Sequence, residues 1–163
     1  NLDGNSWAEV HDNASLDITS EITLEAWVYW SDPNTEGILG RFGALTADRS
    51  YMLYAPSPTS VEFYINTSQS NYTSMTNGWR HIVGTYNGAQ RKLYVDGVLR
   101  DTDGMTAAIT TSDKPIEIGR YRHGSVSNLE HDGQLAQPRI YNRALTAEEV
   151  QRNYNAGKNT YTN

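Results

Sequence analysis

The sequence predicts an all-β fold: a two-sheet antiparallel jelly-roll sandwich with one short C-terminal helix. Three observations carry this. First, the stretch 78–99 holds two reversals, Asn87-Gly88 after one β-rich run and Asp96-Gly97 between two others. Such pairs accept the positive φ angles of tight hairpin turns, so three consecutive strands are expected at about 79–86, 90–95 and 98–102. Second, about ten short runs rich in β-branched and aromatic residues recur along the chain, separated by turn residues. Third, one helix signature closes it, with Thr146 as N-cap and Glu149 as its capping-box partner.

Taken in order, residues 6–10 read as a short strand and 12–15 as a loop. Residues 21–30 alternate: Leu24, Ala26 and Val28 on one face, Glu25, Trp27 and Tyr29 on the other. Both faces are apolar, which suits an inner strand of a sandwich. Residues 31–34 break it. Strands follow at 38–42, 51–55 and 61–65, the last two separated by Pro56-Ser57-Pro58. Residues 66–77 are polar and read as a long hairpin loop. In the central hairpins Leu93, Val95 and Val98 should share one face and Lys92 and Tyr94 the other. Residues 104–114 form a loop, 116–118 a strand, and 119–131 a second long loop. The last strand is 135–141, where Pro138 lacks a donor and requires an edge or a bulge. In the helix Val150 and Tyr154 form an apolar stripe, and Gly157 is expected to stop it.

Composition bounds the function. At 163 residues the chain is expected to be one domain, 1–163. Asn1 is not a natural start, so a piece of a longer chain is expected. There is no cysteine, hence no disulfide or thiolate metal site. The net charge is −6, and the 13 basic residues form no stripe, which disfavours nucleic acid. No apolar run approaches the ~18 residues of a membrane span, so membrane insertion is not expected. Eleven tyrosines and four tryptophans against two phenylalanines suit strands, and also surfaces that receive polar ligands.

Four motifs carry a resemblance. Leu2-Asp3-Gly4 with Trp7-Ala8-Glu9-Val10 looks like a first strand, and Ile22-Thr23-Leu24-Glu25-Ala26-Trp27-Val28 like a "TIEAWV" strand. Trp79-Arg80-His81-Ile82-Val83 through Tyr86-Asn87-Gly88, then Leu93-Tyr94-Val95-Asp96-Gly97, looks like a "WHHVAVTYDG…LYVDG" core. Arg139 to Thr146 with Glu148-Glu149-Val150 looks like a "RIYNRALSAEE" closing segment. In this order and spacing the chain resembles the laminin-G-like jelly-roll domain of the concanavalin A-like lectin/glucanase superfamily. Residues 150–158 also resemble such modules in tailed-phage virion proteins. The resemblance implies a twisted sandwich with one concave face. It also implies an aspartate in the last strand that helps hold a structural calcium. Ala136 stands at that place and offers no side-chain oxygen, whereas calcium takes six to eight oxygens. Asp3 and Asp132 remain as weak candidate ligands through a shifted geometry, and no cofactor is required.

The superfamily includes glucanases, so catalysis is tested first. Retaining glycoside hydrolysis needs two carboxyl groups about 5–5.5 Å apart. No strand carries the Glu-x-Asp-x-x-Glu or Glu-x-Asp-x-Glu pattern of those enzymes. No Gly-x-Ser-x-Gly elbow is present. The four histidines are dispersed, with His81 read as a strand residue. Asp101-Thr102-Asp103-Gly104 reads as a turn rather than a calcium loop.

Binding remains. Alternation points Arg41, Tyr54, Glu62 and Tyr64 away from the core on adjacent strands, an aromatic floor with charged hydrogen-bonding groups. A second candidate is a loop edge of Trp30 and Asp32 with Tyr121, Arg122 and His123. Trp7, Trp27 and Trp79 are expected to be packing residues. The function expected is a non-catalytic, carbohydrate-binding, lectin-like recognition module, extracellular or on a virion surface, with a glycan or polysaccharide as partner. The alternative is a structural or protein–protein interaction domain of a phage virion, a capsid decoration or tail fibre meeting other virion or cell-surface proteins without sugar affinity.

Overall fold

The computed structural model describes residues 2–3, 6–31, 36–121 and 129–162, with the side chains of all of these but 2, 3 and 129. The strands are β1 (Leu2–Asp3), β2 (Ala8–Val10), β3 (Ile22–Trp30), β4 (Glu36–Phe42), β5 (Arg49–Ser57), β6 (Ser60–Ile65) and β7 (Ser68–Tyr72). They continue with β8 (Gly78–Tyr86), β9 (Gln90–Val95), β10 (Val98–Gly104), β11 (Ile116–Ile118), β12 (Arg120–Tyr121), β13 (Leu129–Glu130) and β14 (Asp132–Tyr141). The helix α1 spans Ala147–Tyr161. The first sheet runs β1-β14-β3-β8-β9-β10, the second β2-β11-β4-β5-β6-β7, and β12 pairs β13 separately. All pairings are antiparallel, as a jelly-roll sandwich requires.

The central hairpins form as the sequence predicts. Asp96 and Gly97 both take positive φ, 54° and 75°, in the turn between β9 and β10. Leu24, Ala26, Val28, Leu93 and Val95 point into the sandwich and meet Tyr51, Leu53, Val61, Phe63 and Ile65 of the second sheet. Val98 does not join them. It lies at the far side of the turn and is exposed.

Other elements depart from the expectation. Part of the polar stretch 66–77 is a strand, β7, paired with β6 in unbroken register. It is the last strand of its sheet, so only Ser70 of its five residues is buried and no apolar alternation marks it. The loop expected over 119–131 contains β12 and β13. The segment 101–104 is strand rather than turn, and its carboxylates tie the two sheets at this edge: Asp103 accepts from Ser70 and Asp101 from the Asn71 amide. Pro138 sits at a bulge between Ala136 and Arg139, where Gln137 has a φ of 49°, and β1 pairs with this strand only at Asp132 and Gly133.

The helix begins as read, with the reciprocal Thr146–Glu149 capping box. It does not stop at Gly157. A Cβ there would lie 2.6–2.8 Å from the Trp27 indole, so glycine serves as a docking notch inside the helix. Tyr154 stacks on Trp27 at 5.8 Å, Tyr161 meets both Trp27 and Trp79, and Val150 packs with Val83 and Tyr94. The outer face of the first sheet is thereby covered. Of the expected packing tryptophans, Trp27 is fully buried and Trp79 half-buried, while Trp7 is 42% exposed with the Arg120 guanidinium 3.7 Å over its ring.

Gly157→Ala tests this docking. Alanine would gain about 1 kcal/mol in helix propensity, while overpacking costs about 1–3 kcal/mol. A melting temperature lower by a few degrees is expected. A rise would show that the helix does not bear on Trp27 here.

Candidate functional site

Charged side chains gather at several buried places: Arg120 pairs with Glu117 (2.6 Å), His131 with Glu36 (2.6 Å), and two larger clusters hold the fold together. The first lies under α1. Glu25 accepts from His81 Nε2 (3.0 Å) and Arg139 (2.9 Å) on one oxygen, and from Tyr141 (3.1 Å) and Asn153 (2.9 Å) on the other. His81 is thus a strand residue in a buried pair, and Glu25 has no solvent exposure. The second is Arg41. The sequence reading pointed it outward, but it is 1% exposed. It pairs with Asp12 and with Asp17 (2.9 Å) and donates Nε to the Lys114 carbonyl (2.9 Å). The cause is a bulge in β4. Gly37 opposes Tyr54 and Leu39 opposes Leu53, so Ile38 is an extra residue and the alternation slips by one. Leu39 and Arg41 therefore face inward, while Gly40 and Phe42 face outward.

Trp30 also moves from the expected loop edge into the core. It follows the phase of Leu24, Ala26 and Val28, has no exposure, and donates Nε1 to the Pro58 carbonyl (2.6 Å). Asp32, Arg122 and His123 lie outside the described residues.

The remaining candidates come together on the outer face of the second sheet. Met52 and Tyr54 of β5 and Glu62 and Tyr64 of β6 share that face by period two and by register, Met52 opposite Tyr64 and Tyr54 opposite Glu62. Tyr121 arrives by another route. β12 crosses over β4 at Gly37, where a Cβ would lie within 2.4 Å of the Arg120–Tyr121 backbone. The missing side chain lets the crossing strand sit down on the sheet and sets the Tyr121 ring 5.5 Å from Tyr54. Tyr54 meets Tyr64 (6.2 Å), Tyr64 meets Phe42 (5.4 Å), and Phe42 meets Tyr121 (5.8 Å). All four contacts are edge-to-face, the arrangement aromatic quadrupoles favour, and they close into a ring of four side chains.

This ring borders a cavity of about 210 Å³, walled also by Met52 and Arg49. The Arg49 guanidinium lies 5.4 Å from the Phe42 ring centre. On the far side of Phe42 is a second hollow of about 350 Å³, walled also by Asp48, Lys114 and Glu117. Burial pushes the Tyr54, Tyr64 and Tyr121 phenols above their ordinary range. The Glu62 carboxylate beside Tyr64 pushes it further. All three therefore stay protonated at neutral pH and can donate hydrogen bonds.

Phe42, Arg49 and Met52 were missed by sequence reasoning. Phe42 reaches this face through the bulge at Ile38, and Arg49 through a second register shift: Arg41 opposes Tyr51 but Phe42 opposes Arg49, which leaves Ser50 extra in β5. Nothing in the local pattern marks Ser50 as such a residue.

The candidate calcium ligands stand differently. Asp3 and Asp132 are register partners across β1 and β14, and Ala136 pairs with Trp27. Among the described residues no group of three or more His, Cys, Asp or Glu side chains converges. The Asp3 side chain lies outside the described residues.

A laminin-G family model, described as the concanavalin A-like lectin/glucanases superfamily, matches residues 2–151. The chain belongs to this family. Curated protein sequences give no match. Among solved structures, the chain is similar to the binding domain of Paraclostridial Mosquitocidal Protein 1, with a TM-score of 0.73 and 20% identity over 97% of this chain and 43% of that one. Domains LG4-5 of the mouse laminin α1 chain follow at 0.68 and 15%, over 89% and 43%. Botulinum neurotoxin type C, which enters cells in dependence upon interaction with two ganglioside molecules, is similar at 0.67 and 13%, over 91% and 39%. The chain spans about two fifths of the length of these structures. At such identities the likeness shows the fold. No helix among the described residues is long and apolar enough to cross a membrane.

The buried Glu25 network has a pH signature. Burial raises the Glu25 pKa, but the His81 and Asn153 hydrogen bonds and the His81 and Arg139 charges outweigh it, leaving the carboxyl below its ordinary value. Such a group stabilises the fold above the unfolded pKa of about 4.3, and loses that contribution as pH falls through the depressed folded value. Thermal melts should be steady from about pH 7 to 5 and fall below about pH 4. Glu25→Gln should cost about 3–5 kcal/mol at neutral pH by leaving its partners uncompensated, and should flatten the acid limb. An unchanged acid limb would show that another carboxylate controls it.

Proposed function

We propose that this laminin-G-like chain is a non-catalytic carbohydrate-binding module, working as one domain of an extracellular or virion-surface protein. The observation that carries the reading is the closed ring of Phe42, Tyr54, Tyr64 and Tyr121 on the outer face of the second sheet, opposite the face that α1 covers. Sugar rings present flat C–H faces to aromatic rings and hydroxyls to donors. The tyrosines supply both, because each has an apolar body and a protonated polar tip. The cavity of about 210 Å³ is smaller than the ~300–1,000 Å³ of typical small-molecule pockets, which suits one sugar ring held at the surface. The rings are already locked by one another, so little ordering accompanies binding. The toxin neighbours lend support: one is a binding domain, and another comes from a toxin whose cell entry depends on two ganglioside molecules.

A glycan array, followed by titration of its hits, tests this. Tyr54→Ala and Tyr64→Ala should each weaken binding at least about tenfold, or 1.4 kcal/mol. Each ring gives up two edge-to-face contacts, so melting temperatures should fall by a few degrees, and binding is compared well below the melting point, where the fold persists. Binding that survives both substitutions would remove the site from this face. Binding to no glycan at all would return the chain to the alternative, a structural or protein-contacting domain of a virion.

A further inference from the structure

We propose that the tyrosine-ringed site selects acidic glycans, with Arg49 holding a carboxylate or sulfate of the sugar seated there. The inference rests on the glycan-binding reading and adds the ligand's charge.

Arg49 differs from most other arginines among the described residues. Arg41, Arg80, Arg91, Arg120, Arg139 and Arg143 each have a carboxylate within 4.0 Å. Among the described residues Arg49 has none. Its one protein hydrogen bond is a long one to the Ala44 carbonyl (3.4 Å), and its Nε is shielded from water without a partner. A guanidinium that is partly desolvated and uncompensated is a costly group to keep, and it is a ready partner for an incoming anion. Arg100 also lacks a carboxylate partner, but its hollow is shared with Asp96, which supplies negative charge there.

Among the described residues, the walls of the Arg49 cavity carry no carboxylate. On this face Glu62 stands opposite Tyr54, five residues along β5 from Arg49, and its carboxylate lies beside the Tyr64 phenol. Beyond Phe42, Asp48, Lys114 and Glu117 wall the neighbouring hollow. Arg49 is the charged group that lines the cavity of the ring itself. The phenols of the ring remain neutral donors. A sugar on this ring would thus turn an acid group toward Arg49 and keep its hydroxyls toward the tyrosines. Guanidinium meets carboxylate or sulfate through two parallel N–H donors, which fixes orientation as well as charge. The chain as a whole carries −6, so long-range attraction of an anion is absent. The selection must be local and should appear in the dissociation rate.

The experiment is an array bearing neutral, carboxylated and sulfated glycans. It is followed by titration calorimetry of matched pairs, a carboxylated oligosaccharide with its methyl ester and a sulfated one with its desulfated form. The acidic member of at least one pair should bind about tenfold tighter or more, and which pair it is separates the two anion sources. Arg49→Gln should abolish that preference, weakening the acidic member of the pair far more than the neutral one. Arg49→Lys should retain part of it, which guards against a folding defect in the glutamine variant. The preference should also shrink as salt is raised. Hits confined to neutral glycans, or an acid preference that survives Arg49→Gln, would overturn the inference while leaving the glycan-binding reading in place. No hits of any kind would overturn both.

Discussion

The contact between Trp27 and Gly157 decides which surface of this sandwich faces the solvent. Trp27 stands on an outward position of β3, where a large indole would leave the sheet wet and sticky. The helix solves this only if its backbone can approach closely, and the absent Cβ at 157 provides that approach. Once α1 is down, Tyr154 and Tyr161 cover the tryptophans and Asn153 completes the hydrogen bonding of Glu25. A carboxylate with four partners and no solvent exposure is a structural post. The face that might have offered a groove with acidic chemistry is filled by its own helix.

The second sheet uses the same device to the opposite end. Gly37 also receives a backbone where a side chain would be, but here only two residues cross, and they bring a tyrosine instead of a lid. The result is an aromatic cluster that is packed laterally and half-open above. Edge-to-face contacts contribute about 0.5–1.5 kcal/mol each beyond burial, so four of them hold the cluster in one geometry without any ligand. Rigidity of this kind is what a weak, surface-held ligand needs, since its own few contacts cannot fund the ordering of loops.

How much of this could be read from the chain follows from which rules are local. Hairpin turns at Asn87-Gly88 and Asp96-Gly97, period-two faces on β3 and β9, and the capping box at Thr146 depend on near neighbours, and they appear as expected. The jelly-roll class followed from them. Tyr54, Glu62 and Tyr64 faced outward as read, because β6 keeps its register throughout. Arg41 did not, because one extra residue at Ile38 reverses everything after it, and no dipeptide announces the bulge. Trp30 was misplaced by giving more weight to its position at a strand end than to the alternation, which already predicted it inward. Gly157 was read by composition as a stop, whereas its role depends on a tryptophan 130 residues earlier. Tyr121 could be named as a candidate but not joined to Tyr54, since the crossing at Gly37 is a tertiary event.

What separates the open face from ordinary packing is its charge. The chain has 19 acidic residues against 13 basic ones, and among the described arginines only Arg49 and Arg100 lack a carboxylate within 4.0 Å. Elsewhere the acids are spent on the arginines: Asp12 and Asp17 on Arg41, Asp96 on Arg80, Glu117 and Glu9 on Arg120. An aromatic surface patch alone would be served by neutral neighbours, which avoid the desolvation cost of a cation. Setting a guanidinium over Phe42, with its Nε dry and, among the described residues, no acid on the cavity wall, keeps part of that cost unrelieved until an anion arrives. An uncompensated charge in a preorganised aromatic frame is harder to account for as packing than as one half of a recognition pair whose other half is carried by the ligand.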